Sequence, residues 1–250
     1  MAPRSDGGAR AGLNTGGLSS HLVPTMNTPN RHDLYAPIHK ALRLFMTDTL
    51  AVMGRLDLDD PQELAAGLAR LDALLDAAAQ HLRHENEFVH PALDAHRPGT
   101  SATIAAEHRE HLDAIAALRA EAATLRALPT AAAAHRLYRQ LAAFVAENFE
   151  HMDVEETRHN QVLWAAYGDV ELQAIEGRIH AHVGPQEMSV WLRWLIPALN
   201  PAERAALIGS LPPEAQAPVL DSARALLDDM AWSKLCRALG RAPVSGLVAA

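Results

Sequence analysis

Apolar residues recur at three- and four-residue spacing along four successive stretches of the chain, the pattern of helices that bury one face. The first stripe reads Tyr35, His39, Leu42, Met46, Met53, and the second Leu64, Leu68, Leu71, Leu75, Ala78, His81, Glu85, Phe88. The third reads Ile104, His108, His111, Ile115, Leu118, Ala122, Leu125, and the fourth Leu137, Leu141, Phe144, Asn148, His151, Glu155. Punctuation falls between them. Gly54 can close the first helix, and Asp60 offers an N-cap with Pro61 at the first helical position and Glu63 two residues on. Pro98-Gly99 breaks the chain before Thr100 or Ser101 caps the third helix, Pro129-Thr130 precedes the fourth, and Gly168 closes it. Connections this short imply antiparallel neighbours, so the expected fold is all-α: an up-down-up-down four-helix bundle over residues 31–168.

The flanks differ. Residues 1–30 are rich in Gly, Ser, Pro, Asn and Thr with one acidic residue, Asp6, and are expected to form a disordered leader. Met26, just before the first helix, is an expected start of translation. Residues 169–250 are helical in pattern, with starts at Asn200-Pro201-Ala202-Glu203 and Pro212-Pro213. Met188 to Leu199 concentrates Trp191, Leu192, Trp194, Leu195 and Ile196, more apolar surface than a solitary helix exposes. This extension of several short helices is expected to pack on the bundle or to form an interface, such as that of a homodimer.

The polar members of the stripes carry the chemistry. His39, His81, Glu85, His108, His111, His151 and Glu155 all point at a common core, and burying a neutral polar group unpartnered costs roughly 2–7 kcal/mol, an ionised carboxylate far more. Metal coordination offsets that cost. His81/Glu85 and His151/Glu155 share the spacing His-x-x-x-Glu, which stacks imidazole and carboxylate on one face a turn apart. Seven such groups suit a dinuclear centre better than one structural zinc, which is closed at four ligands. Imidazole-rich sites accept iron, zinc, copper or nickel, so ligand type leaves the metal open.

In this order of residues the chain resembles the hemerythrins and hemerythrin-like HHE cation-binding domains over roughly residues 32 to 166. The resemblance implies that His39, His81, His108, His111 and His151 are terminal ligands and that Glu85 and Glu155 bridge two iron ions, with an oxo or hydroxo bridge compatible with the site and zinc or another divalent metal as the alternative. Two spacings depart from the oxygen-carrying members. Their third-helix histidines are four apart, where His108 and His111 are three apart, and their last carboxylate follows histidine by five, which would select Glu156. Many bacterial relatives use four, which selects Glu155. The implied function is to bind or sense oxygen or a related small oxidant, nitric oxide or peroxide. The alternatives are an enzyme that reduces peroxide or nitric oxide or supplies iron for cluster repair, and a metal-storage or signalling module. Apolar neighbours Leu42, Phe88, Ile115, Leu118 and Phe144 would limit water around the centre. Tyr35, Asn148 and His159 are candidates to hydrogen-bond a ligand or bound oxidant, His84 lies beside the site face, and His90, His96, His135, His180 and His182 read as surface or packing residues.

Composition narrows the field further. The chain of 250 residues is 49% hydrophobic and 21% charged, enough for a substantial core, and its net charge of −8 without Lys/Arg clusters argues against nucleic acid. Cys236 is the single cysteine, which excludes an intrachain disulfide and a cysteine-held zinc or iron–sulfur site. No apolar stretch reaches membrane-spanning length and no secretion signal is evident, so the expected compartment is the cytoplasm, with no membrane partner.

Overall fold

The computed structural model describes residues 31–242, so the expectations of a disordered leader over 1–30 and of a start at Met26 lie outside the described residues. Four long helices form a closed ring: α1 (Ala36–Gly54), α2 (Pro61–His84), α4 (Ala102–Ala127) and α5 (Ala131–Val154). α1 packs on α2, α2 on α4, α4 on α5, and α5 back on α1. Every residue of the four stripes is buried, polar members included. No strand occurs among the described residues.

α2 and α5 do not stop at their last α-helical residue. Each runs through one wide π-helical turn, Glu85–Val89 and Glu155–His159, into a short helix, α3 (His90–His96) and α6 (Asn160–Ala166). In these turns the amides of His90 and Asn160 donate five residues back, to the carbonyls of Glu85 and Glu155. Pro91 explains part of the first turn, because it lacks the amide that an α-helix would donate to Glu87. The second turn contains no proline and has no such local cause.

Helix starts follow side-chain chemistry. Asp60 accepts from the amides of Gln62 and Glu63 and caps α2, while the Glu63 carboxylate accepts from the amide of Asp57 at 3.0 Å. Thr130 caps α5 by accepting from Ala133. Ser101 heads α4 but its hydroxyl does not cap it. That hydroxyl donates to Asp94 at 2.7 Å and its amide to the same carboxylate at 3.1 Å, since a carboxylate is the stronger acceptor. Gly99 supplies the turn before it with φ +84°, a conformation that suits glycine. Gly168 opens a helix instead of closing one: α6 ends at Ala166, and the Gly168 amide donates to Glu171 at 2.7 Å at the head of α7 (Asp169–His182). Gly54 is needed at the end of α1, because a Cβ there would meet the Tyr138 ring at 2.9 Å.

The extension continues with α8 (Pro185–Ala198), α9 (Pro201–Ser210), α10 (Pro213–Leu226) and α11 (Asp229–Ala238). α8 lies against α1 and α2 and joins the bundle core, with Trp194 stacked on Phe45 at 4.1 Å. Trp191 and Trp194 are thereby buried within the chain itself. α9, α10 and α11 build a second core around Ile208, Leu220, Trp232 and Leu235, which Ile196 of α8 also enters. Arg204 fastens the two parts by donating to the carbonyls of Ile196 and Pro197, which end α8 without helical partners. No helix among the described residues is long and apolar enough to cross a membrane.

Removing the cap in Asp60→Ala is expected to cost about 1 kcal/mol of stability, the usual worth of such a cap, without altering the bundle. Urea unfolding followed by circular dichroism measures it; an unchanged midpoint would show that the α2 start is held by packing alone.

Candidate metal centre

The four long helices and the two π turns bring six of the seven sequence candidates to one place. Ligand-type atoms of His39, His81, Glu85 and Glu155 lie within 4.8 Å of one another, and so do those of Glu85, His108, His151 and Glu155. The two groups share both carboxylates. Glu85 turns Oε1 toward His81 Nε2 (3.2 Å) and His39 Nε2 (3.6 Å), and Oε2 toward His108 Nε2 (3.5 Å). Glu155 turns Oε2 toward His39 Nε2 (3.5 Å), and Oε1 toward His151 Nε2 (3.4 Å) and His108 Nε2 (3.8 Å). His111 stands outside both groups, buried beside His151 with ring centres 4.8 Å apart.

These atoms are close without being satisfied. All four carboxylate oxygens of Glu85 and Glu155, and Nε2 of His39 and His81, are buried with no hydrogen-bond partner. The Nε2 atoms of His108 and His151 face each other at 3.0 Å. Six side chains, nearly sealed from solvent, thus direct ligand-type atoms at a common space, and four of them leave those atoms unpaired, an arrangement costly in itself and well matched to cations. The donor set of imidazole and carboxylate fits iron or zinc.

Behind the imidazoles, three outer nitrogens are anchored. His39 Nδ1 meets Glu156 at 2.9 Å, His108 Nδ1 meets Asn86 at 2.9 Å, and His151 Nδ1 meets Glu107 at 2.8 Å. Arg43 donates to the same Glu156 oxygen at 2.5 Å. Such partners fix the tautomer and aim Nε2 inward. Sequence reasoning missed Asn86 and Glu107 and weighed Glu156 only as a ligand in place of Glu155, though each adjoins a stripe residue: Asn86 follows Glu85, Glu107 precedes His108, and Glu156 follows Glu155. Glu156 therefore serves as the partner of His39, while its neighbour Glu155 faces the centre.

Electrostatics sort the imidazoles into two kinds. Burial lowers the His39 pKa, but Glu156, Glu85 and Glu155 outweigh it and push it up to about 9. Burial likewise opposes His151, and Glu155, Glu107 and Glu85 raise it to about 9. His81 and His111 go the other way, to about 4, chiefly by burial. Burial raises Glu155, yet the neighbouring imidazoles of His108 and His151 hold it well below the usual carboxylate range.

A second polar layer adjoins the first. His90, read from sequence as surface or packing, is buried and stacks on His108 with ring centres 4.9 Å apart. His159 is buried too, and its Nδ1 lies 3.3 Å from the Tyr35 hydroxyl. His84 is buried with Nδ1 3.7 Å from Glu187 of α8. Asn148 donates to the carbonyl of Phe144 at 2.8 Å within its own helix and meets no imidazole. His96, His135, His180 and His182 are exposed, His182 also covering the Phe88 ring.

Compared with known proteins, the chain matches the family model described as Hemerythrin HHE cation binding domain over residues 32–159. No curated protein and no solved structure matches it. The match ends at the second π turn and leaves out α6 to α11.

His81→Ala or Glu85→Ala is expected to remove most of the bound metal, measured by mass spectrometry of the purified variants; full occupancy in both would refute the ligand assignment. Glu107→Gln and Glu156→Gln should instead weaken metal binding by roughly 10–100-fold, the usual effect of losing a partner behind a ligand, as read by competition with a chromogenic chelator. Wild-type affinity in both would mean that these carboxylates only decorate the site.

Proposed function

Because the chain belongs to the hemerythrin HHE cation-binding domain family, we propose that its bundle holds two iron ions and uses them to bind or sense oxygen or a related small oxidant. One ion would be held by His39 and His81, the other by His108 and His151, with Glu85 and Glu155 shared between them and His111 standing by the second. The observation that supports this most is the sharing itself: two ligand groups overlap in two buried carboxylates whose four oxygens have no other partner. Iron bound there supplies reversible one-electron chemistry toward small oxidants. The chain's own contribution is to orient imidazole through Glu156, Asn86 and Glu107 and to exclude water with buried Leu42, Ile115, Leu118 and Phe144.

A second reading, an enzyme that reduces peroxide or nitric oxide, is favoured by the layer of Tyr35, His90 and His159. Reversible binding is served by an apolar pocket, whereas His90 Nε2 is buried beside the centre without a partner and Tyr35 is paired to an imidazole. Those groups can hold or hand over protons that reduction consumes.

Metal content by mass spectrometry, with the visible spectrum of reduced and air-exposed protein, is expected to give two irons per chain and an oxygen-dependent charge-transfer band. One zinc, or no metal after anaerobic iron loading, would overturn the di-iron reading. Reversal of the band on removing oxygen supports a carrier or sensor, and steady consumption of reductant with peroxide or nitric oxide supports the enzyme.

A further inference from the structure

Of the four imidazoles at the centre, His81 is the one with no acceptor behind it. His39, His108 and His151 each meet a carboxylate or amide through Nδ1, and each of those acceptors lies on a bundle helix or its π turn. Behind His81 lies the extension. The Trp191 indole of α8 meets the His81 ring edge-on, centres 6.4 Å apart, and is itself buried. Its position is fixed locally: Trp191 Nε1 donates to Glu187 at 3.4 Å, one turn earlier on α8, and the same Glu187 oxygen stands 3.7 Å from His84 Nδ1. Glu187 is an acidic side chain only 10% exposed, and His84 Nε2 is buried without a partner. Charge and aromatic surface are thus inserted between α2 and α8 at the one ligand that the bundle leaves unsupported.

We infer that the extension is a working part of the metal centre: Trp191 and Glu187 are positioning residues that hold His81 on its metal. The inference rests on the di-metal reading. It assigns a role to a segment that lies wholly beyond the matched family region. A ring wedged against His81 restricts rotation of the imidazole, so the metal-bound orientation is kept without the hydrogen bond that the other three possess. Because coupling between sites is reciprocal, metal held by His81 must in turn tighten the seat of α8.

The test uses the full chain loaded anaerobically with Fe(II), and reads the rate at which a ferrous chelator strips the metal. Trp191→Ala and Glu187→Gln are expected to speed release roughly tenfold or more, and Trp191→Phe to restore it, since a ring still fills the wedge. Trp194→Phe, which alters the same helix at its stack on Phe45, should leave the rate near wild type. Hydrogen exchange in Pro185–Ala198 should slow on iron loading while that in Pro213–Leu226 does not. Unchanged release in both the Trp191→Ala and Glu187→Gln chains, an equal effect of Trp194→Phe, or α8 exchange indifferent to iron would each overturn the inference and leave the metal site standing. A wild-type chain that takes up no iron would overturn both.

Discussion

Glu85 and Glu155 carry negative charge into a space without solvent, and the bundle is organised around neutralising it. Desolvation alone would drive both carboxylates to protonate. They remain ionised because imidazoles approach them from every side, and without metal two of these, His39 and His151, hold protons with pKa values of about 9. A buried pair of that sort gives little net stability, since attraction between the ions mainly offsets the cost of taking them out of water. Cations substitute for those protons directly. Uptake of metal would therefore expel protons from the two imidazoles, and the same arrangement that makes the metal-free site expensive would make the loaded one favourable.

That constraint extends outward through named contacts. Fixing Nε2 toward the carboxylates requires something on Nδ1, and Glu156, Asn86 and Glu107 provide it from positions adjacent in sequence to a stripe residue. Adjacent residues on a helix point about 100° apart, so a polar group beside an inward one reaches around the flank of the next helix in the ring. Arg43 then balances Glu156. From Glu155 through His39 and Glu156 to Arg43, each contact thus crosses between α1 and the π turn that follows α5.

Much of this was legible in the chain because helical periodicity projects directly onto burial. The four stripes, the cap at Asp60, the break at Pro129-Thr130 and the capping at Asn200 with Glu203 all follow from local spacing and are present. The six histidines and glutamates that share the two ligand groups lay on those stripes. What local spacing could not reveal was any feature depending on a change of phase or on distant packing. His90 falls off the α-helical stripe of α2 and reads as peripheral, yet the wide turn before it carries it over His108. Pro91 was the one local sign of that turn. Glu107 looks like an ordinary surface carboxylate, Glu156 like a rival to Glu155, and Trp191 meets His81 from 110 positions further along the chain, a distance that no periodicity connects.

The π turns give the chain an unusual arithmetic. Each holds one residue more than an α-helical turn would, so α3 and α6 are out of phase with the helices that lead into them. Loss of a single residue between Asn86 and Val89 would let α2 continue as an ordinary helix and swing everything after it by about 100°. His90 would leave its place over His108, and the Tyr167 hydroxyl would lose the Ala92 carbonyl to which it donates. Length in this stretch is therefore held more strictly than identity: substitutions change one side chain, whereas an insertion or deletion turns a whole wall of the chamber away from the cluster of imidazoles and carboxylates.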